Sequence, residues 1–137
     1  MANRWLFKTE PSVYSFAQLR KDGRTTWDGV KNPLALKHLS GVKRGDLVFV
    51  YHTGDEKAVV GRARAVSDAY PDPKQKDRKF LVVDLEPSAA LPTAVTLAAV
   101  KANRKFAGFD LVRLPRLSVM PVGEEQAAEI ERMARAT

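Results

Sequence analysis

Runs of aromatic, apolar and β-branched residues recur at Trp5–Thr9, Leu47–His52, Ala58–Val66 and Phe80–Leu85, and the segments between them hold few helices of crossover length. That spacing constrains the fold more than any other feature. A doubly wound sheet needs a regular helix between successive strands, so the order fits a compact half-open barrel or strongly curved sheet with peripheral helices. The expected class is therefore α+β, with strands carrying most of the core, and one domain is the economical reading of 137 residues.

Local signals place the remaining elements. Ser15-Phe16-Ala17-Gln18 has the form of a capping box opening a short helix through about Lys21. Asn32 caps a second helix over Pro33–Leu39, expected to bury Leu34 or Ala35 together with Leu39. Gly41 through Asp46 forms a basic turn before the Leu47 strand, which belongs near the sheet centre. Thr53–Lys57 makes a hairpin connection into the next strand, where Arg62 and Arg64 share a face opposite Ala63 and Ala65.

Tyr70–Lys79, with two prolines and many charges, reads as a loop, and Pro87 and Pro92 bracket an irregular stretch before a short helix over Thr96–Lys101. Leu111–Pro115 and Arg116–Val122 read as short extended elements suited to sheet edges or bends. Glu124–Arg135 is a terminal helix with Ala127, Ile130 and Met133 or Ala134 on one face and charges arranged to suit its dipole.

Thr26-Trp27-Asp28-Gly29-Val30-Lys31-Asn32-Pro33 is the strongest pointer to function. It sets a large aromatic among turn-forming residues just before a helix, so Trp27 is expected on a rigid loop. There it either presents a flat stacking surface or covers an edge of the core, and residue type alone leaves both open. The net charge of +7 is uneven: residues 1–45 carry nine Lys/Arg against three Asp/Glu, residues 46–80 seven against six, and residues 81–137 seven of each. A basic mouth around an aromatic pocket would suit a polyanion, although simple solubility explains the excess equally well.

Cysteine is absent, which excludes disulfides, a cysteine nucleophile and thiolate metal sites, and two histidines make a histidine-rich zinc site a poor fit. Met1–Trp5 leads directly into a strand without an apolar run suited to a signal peptide or membrane span, so a cytoplasmic location is expected, or a nuclear one in a eukaryotic cell. No cofactor or membrane partner is expected, and a monomer is favoured.

Trp5-Leu6-Phe7-Lys8-Thr9-Glu10-Pro11, Trp27-Asp28-Gly29-Val30-Lys31-Asn32, Gly45-Asp46 with Tyr51-His52, Tyr70-Pro71-Asp72-Pro73 and Arg116-Leu117-Ser118-Val119 occur in one order along nearly the whole chain. Together they resemble the EVE domain family. The resemblance implies a PUA-like curved mixed β-barrel, or pseudobarrel, close to YTH domains, and non-enzymatic binding of a modified nucleic-acid base, cytosine or a related base, in DNA or RNA.

On the matching motifs it implies Trp27 as the stacking wall and Lys8, Thr9, Asn32, Tyr51, His52 and Ser118 as nucleobase-binding groups, with Lys31 and Arg116 toward phosphate. For Lys8, Asn32 and Ser118, holding loops together is an equally good role. The family pattern commonly has Arg where Lys31 stands, so the charge is kept but the planar fork is lost. Thr53 keeps the hydroxyl of a frequent Ser.

His52 with Asp46 or Asp72 is a conceivable acid–base pair, yet no nucleophile elbow, dinucleotide fingerprint or phosphate-binding glycine loop accompanies it. No catalytic residue and no metal ligand is therefore assigned. A base that leaves its stack costs a few kcal/mol, which favours single-stranded, mismatched or modified sites. The alternatives are a sensor of a free nucleobase, nucleoside or other planar metabolite, and a protein-interaction module.

Overall fold

Consecutive burial of Trp5, Leu6 and Phe7 marks β1 (Arg4–Thr9) as a strand covered on both faces, and Val48 to His52 do the same for β3 (Leu47–His52). The two run parallel, from Arg4 opposite Leu47 to Thr9 opposite His52. Between them the chain forms α1 (Phe16–Asp22), β2 (Thr25–Trp27) and α2 (Pro33–Leu39). The computed structural model, which describes residues 3–135, continues with β4 (Ala58–Ala65), β5 (Tyr70–Pro71), β6 (Leu81–Thr96), α3 (Leu97–Lys101), α4 (Asp110–Arg113), β7 (Val119–Pro121) and α5 (Glu124–Arg135). No helix among the described residues is long and apolar enough to cross a membrane.

The strand order is β2-β6-β4-β3-β1-β7, with β5 paired to β6. In a flat sheet of that order β2 and β1 would lie about 19 Å apart. The ring centroids of Trp27 in β2 and Phe7 in β1 are instead 5.6 Å apart. The sheet therefore curls into a half-barrel with its helices at the periphery, the PUA-like pseudobarrel expected from the sequence.

The bend is built around β4. Register shifts fall on both of its edges: against β3 the extra residue is Val60 of β4, whereas against β6 the extra residues, Ser88 and 91–94, belong to β6. The Phe16 ring occupies the space a side chain would need at Gly61, since a Cβ there would lie 2.4 Å from Phe16 Cζ. The same bulges explain a misreading. Pro87 and Pro92 do not interrupt β6, which runs unbroken for 16 residues; Pro87 pairs with Ala63 beside one register shift, and Pro92 lies in the stretch that a second shift leaves unmatched. Proline costs no ladder hydrogen bond at such positions.

Other local expectations need correction. Ser15 caps α1 by accepting from Gln18 N at 3.0 Å, but Gln18 turns its amide to Asp22 at 2.7 Å, so the reciprocal half of the capping box is not made. In α2 Ala35 and Leu39 are buried as expected; Leu36, not anticipated, joins them, while Leu34 is exposed. Leu111–Arg113 is not extended but lies in α4, and only the following stretch supplies an edge strand, β7. Within the 70–79 stretch Tyr70 and Pro71 pair with Val82 and Leu81 as β5.

Two buried carboxylates are fully engaged. Asp46 accepts from Trp5 Nε1 at 2.9 Å, Asn3 N at 3.0 Å and Lys43 N at 2.9 Å, fastening the basic turn beneath β1. Glu129 of α5 accepts two hydrogen bonds from Arg132, at 2.8 and 2.7 Å, and one from Asn103 Nδ2. On the far face of β4, Arg62 joins Glu131 at 2.8 Å, tying α5 to the sheet.

Gly61→Ala should destabilise the fold by about 1–3 kcal/mol, because the buried Phe16 ring has no free direction in which to yield. A urea titration checks this, and Phe16→Leu in the same chain should recover part of the loss. Hydrogen bonds from Arg132 and Asn103, with the Arg132 and Lys105 charges, hold the Glu129 carboxyl down to about 2 against the opposing effect of burial. Its ionised form thus adds stability above the ordinary carboxylate value of 4.5, and this is lost as pH falls through about 2. Thermal melts across that window should fall less steeply for Glu129→Gln than for the parent.

Candidate nucleobase site

Where the curl brings β2 against the end of β1, the two strands and the turn after β1 enclose a cavity of about 410 Å³. Trp27 forms its aromatic wall. Its ring packs against Phe7, tilted by 49°, and meets the edge of Tyr14 at 88° and 6.3 Å, which leaves it 8% exposed. Trp27 therefore fills both roles that its residue type left open, covering the core and lining a cavity. It is the last residue of β2, opposite Val83 of β6, and not part of a loop. The expected turn begins just after it, with Gly29 in the left-handed region at φ 78°.

The polar lining is rich in acceptors. The Thr9 hydroxyl donates to Tyr14 O at 2.7 Å and the Thr26 hydroxyl to Asp84 Oδ1 at 2.9 Å, so each offers lone pairs to the cavity and no free proton. Glu10 and Asp28 are the acidic residues of the lining, the Glu10 carboxylate accepting from the Thr53 hydroxyl at 3.2 Å and the Ser12 hydroxyl at 3.4 Å. Lys8 supplies the cation. Its ammonium donates to Pro115 O at 2.8 Å and sits 5.5 Å from the Tyr51 ring centroid, and burial pushes it below the usual lysine value. An aromatic wall with carboxylates around it and one ammonium suits a planar ligand whose edge carries an amine beside an acceptor.

The residues expected from the sequence are not all brought to this cavity. Lys8, Thr9 and Trp27 line it. Asn32 and Arg116 line a second cavity, of about 320 Å³, with Leu34, Leu114, Pro115 and Leu117. The Lys8 to Pro115 hydrogen bond spans the boundary between the two. The Asn32 side-chain oxygen is spent on capping α2, accepting from Leu34 N at 2.9 Å and Ala35 N at 3.0 Å. Ser118 meets the site through its backbone, its carbonyl accepting from Lys8 N at 2.9 Å. Lys31 is exposed in the connection from β2 to α2.

Tyr51 and His52 lie outside both linings. Tyr51 is buried beneath the Lys8 ammonium, and burial raises its hydroxyl above the usual value. His52 is placed structurally: Nε2 accepts from Phe16 N at 3.0 Å, which leaves Nδ1 as the donor to Glu56 at 2.7 Å. It pairs with neither Asp46, which is held by Trp5, nor Asp72, which accepts from Lys74 N. The sequence reading missed Tyr14, Thr26 and the carboxylates of Glu10 and Asp28. An aromatic directly before the Ser15 cap was the available signal for Tyr14; no pattern announces the others.

A family model described as the EVE domain matches residues 3–133. Rpa0253 from Rhodopseudomonas palustris superposes with a TM-score of 0.92 at 41% identity, covering 97% of this chain and 93% of that one. Human THYN1 protein, in a complex with 5-methylcytosine containing DNA, superposes with a TM-score of 0.89 at 25% identity over 99% of each chain. Among curated proteins, mouse thymocyte nuclear protein 1 is 28% identical across 92% of this chain and 71% of its own length.

His52→Ala removes the acceptor of a buried backbone N–H, so it should cost about 1–3 kcal/mol in a denaturant titration. A ligand of the Trp27 cavity should still bind to the folded fraction with affinity close to that of the parent protein.

Proposed function

The chain belongs to the EVE domain family, and we propose that it binds a modified cytosine, presented by DNA or RNA, with the base laid on Trp27. The observation that carries this reading is the Trp27 cavity itself: an aromatic wall beside acceptor groups, on a fold matched over its full length by a protein in complex with 5-methylcytosine containing DNA. Stacking on such a wall is worth about 1–3 kcal/mol per base and accepts any base. Discrimination then has to come from the edge.

Asp28 and Glu10 are placed to accept from an exocyclic amine, which cytosine has and thymine lacks. Lys8 is suited to the neighbouring ring acceptors. The basic surplus of the first 45 residues, including the exposed Lys31, supplies the backbone attraction, and Arg116 beside the second cavity extends it. The same two carboxylates also support a second reading, a free nucleobase or nucleoside, because they lie where a phosphate would be least welcome.

Titration with short oligonucleotides carrying 5-methylcytosine, cytosine or thymine at one position tests the reading. The expected order places 5-methylcytosine above thymine, which shares its methyl group but not its amine, and Trp27→Leu should weaken 5-methylcytosine binding by about 5- to 150-fold. Equal affinity for all three, untouched by Trp27→Leu in a protein that still melts cooperatively, sinks the proposal. Affinity that falls as salt rises identifies a polynucleotide ligand; salt-insensitive capture of the nucleoside identifies the free one.

A further inference from the structure

Among the described residues the large hydrophobics left in the open are Leu34, 40% exposed, and Val13, 82% exposed. A single apolar side chain in solvent is ordinary on any protein surface. Val13 differs in its position and its mounting: it stands on the turn between β1 and α1 and lines the same cavity as Trp27.

That turn is held from several sides. Val13 N and Tyr14 N both donate to Glu10 O at 2.9 Å, and the Thr9 hydroxyl donates to Tyr14 O at 2.7 Å. Glu10 in turn accepts from the Thr53 hydroxyl at 3.2 Å, and the Tyr14 hydroxyl is fixed on Asp22 at 2.9 Å. Valine adds its own stiffness, since a β-branched side chain has little rotamer freedom to lose. The result is a rigid apolar tip beside the opening through which a base would enter.

We infer that Val13 is a wedge that enters the base stack of a duplex as the read base swings into the Trp27 cavity. The inference rests on the proposed base-binding function. Extruding a base leaves unstacked neighbours and an orphaned partner, at a cost of a few kcal/mol. Proteins that open base steps frequently insert an apolar side chain to offset that cost. A single strand leaves no such gap, so the wedge acts on duplex and is idle on single strands. It broadens the ligand class of this site from accessible bases to paired ones.

Binding of the parent protein, Val13→Ser and Val13→Ala to one 5-methylcytosine sequence, presented single-stranded and as duplex, tests this directly. A 2-aminopurine beside the modified base reports unstacking in the duplex. With Val13 so exposed, both variants should melt with the parent. The expected result is a loss of about 5- to 30-fold on duplex, largest for Val13→Ser, and several-fold larger than any loss on single strands.

Equal losses on both substrates would mean that Val13 touches the base itself, and no loss on either would make it a bystander; each overturns the wedge. Parent protein that binds single strands but not duplex overturns the wedge while leaving the proposed function standing. Binding to neither overturns both.

Discussion

Closure of the half-barrel depends on the contact between Trp27 and Phe7. β1 is hydrogen-bonded to β3 and β7, and β2 to β6 alone, so no backbone ladder links the two strands that face each other across the curl. Side-chain packing supplies what the ladder does not, and Trp27 is the largest piece of it. The residue that closes the sheet is therefore also the wall of its cavity. Any change to that indole would therefore alter the closure of the sheet and the shape of the cavity together.

Charge is organised on two scales. Over the first 45 residues the basic surplus gives a long-range attraction for polyanions. Within the cavity the balance reverses, with Glu10 and Asp28 against Lys8. A polynucleotide would feel the outer field first and the acidic lining only once a base had entered and its phosphates remained outside. On the proposed function, attraction and discrimination would fall to different groups, the basic surplus and the cavity lining.

Regular elements were legible from sequence where the chain states them locally. The apolar runs of β1, β3 and β4 and the caps at Ser15 and Asn32 are of this kind. β6 was legible only in its first part, Leu81–Leu85, because Pro87 and Pro92 read as breakers until its own bulges are known. α4 was not legible: its cap, Phe109, makes no side-chain hydrogen bond, and an apolar run that short has no readable period. In the site, the structure brings Lys8, Thr9 and Trp27 to one cavity; residue type singled out Trp27, while Lys8 and Thr9 entered through the family resemblance. His52 lies outside that cavity, accepting from the backbone N–H of Phe16, and a sequence does not reveal which distant amide lacks an acceptor.

The pairing of β1 with β7 joins nearly the first residues of the chain to nearly the last. Lys8 is held at its backbone by Ser118 and at its ammonium by Pro115, more than a hundred positions downstream. During synthesis the wall that carries Lys8 cannot take its final form until that late segment has left the ribosome. A chain stopped before β7 would hold Trp27 and most of the lining, yet lack the strand that steadies β1.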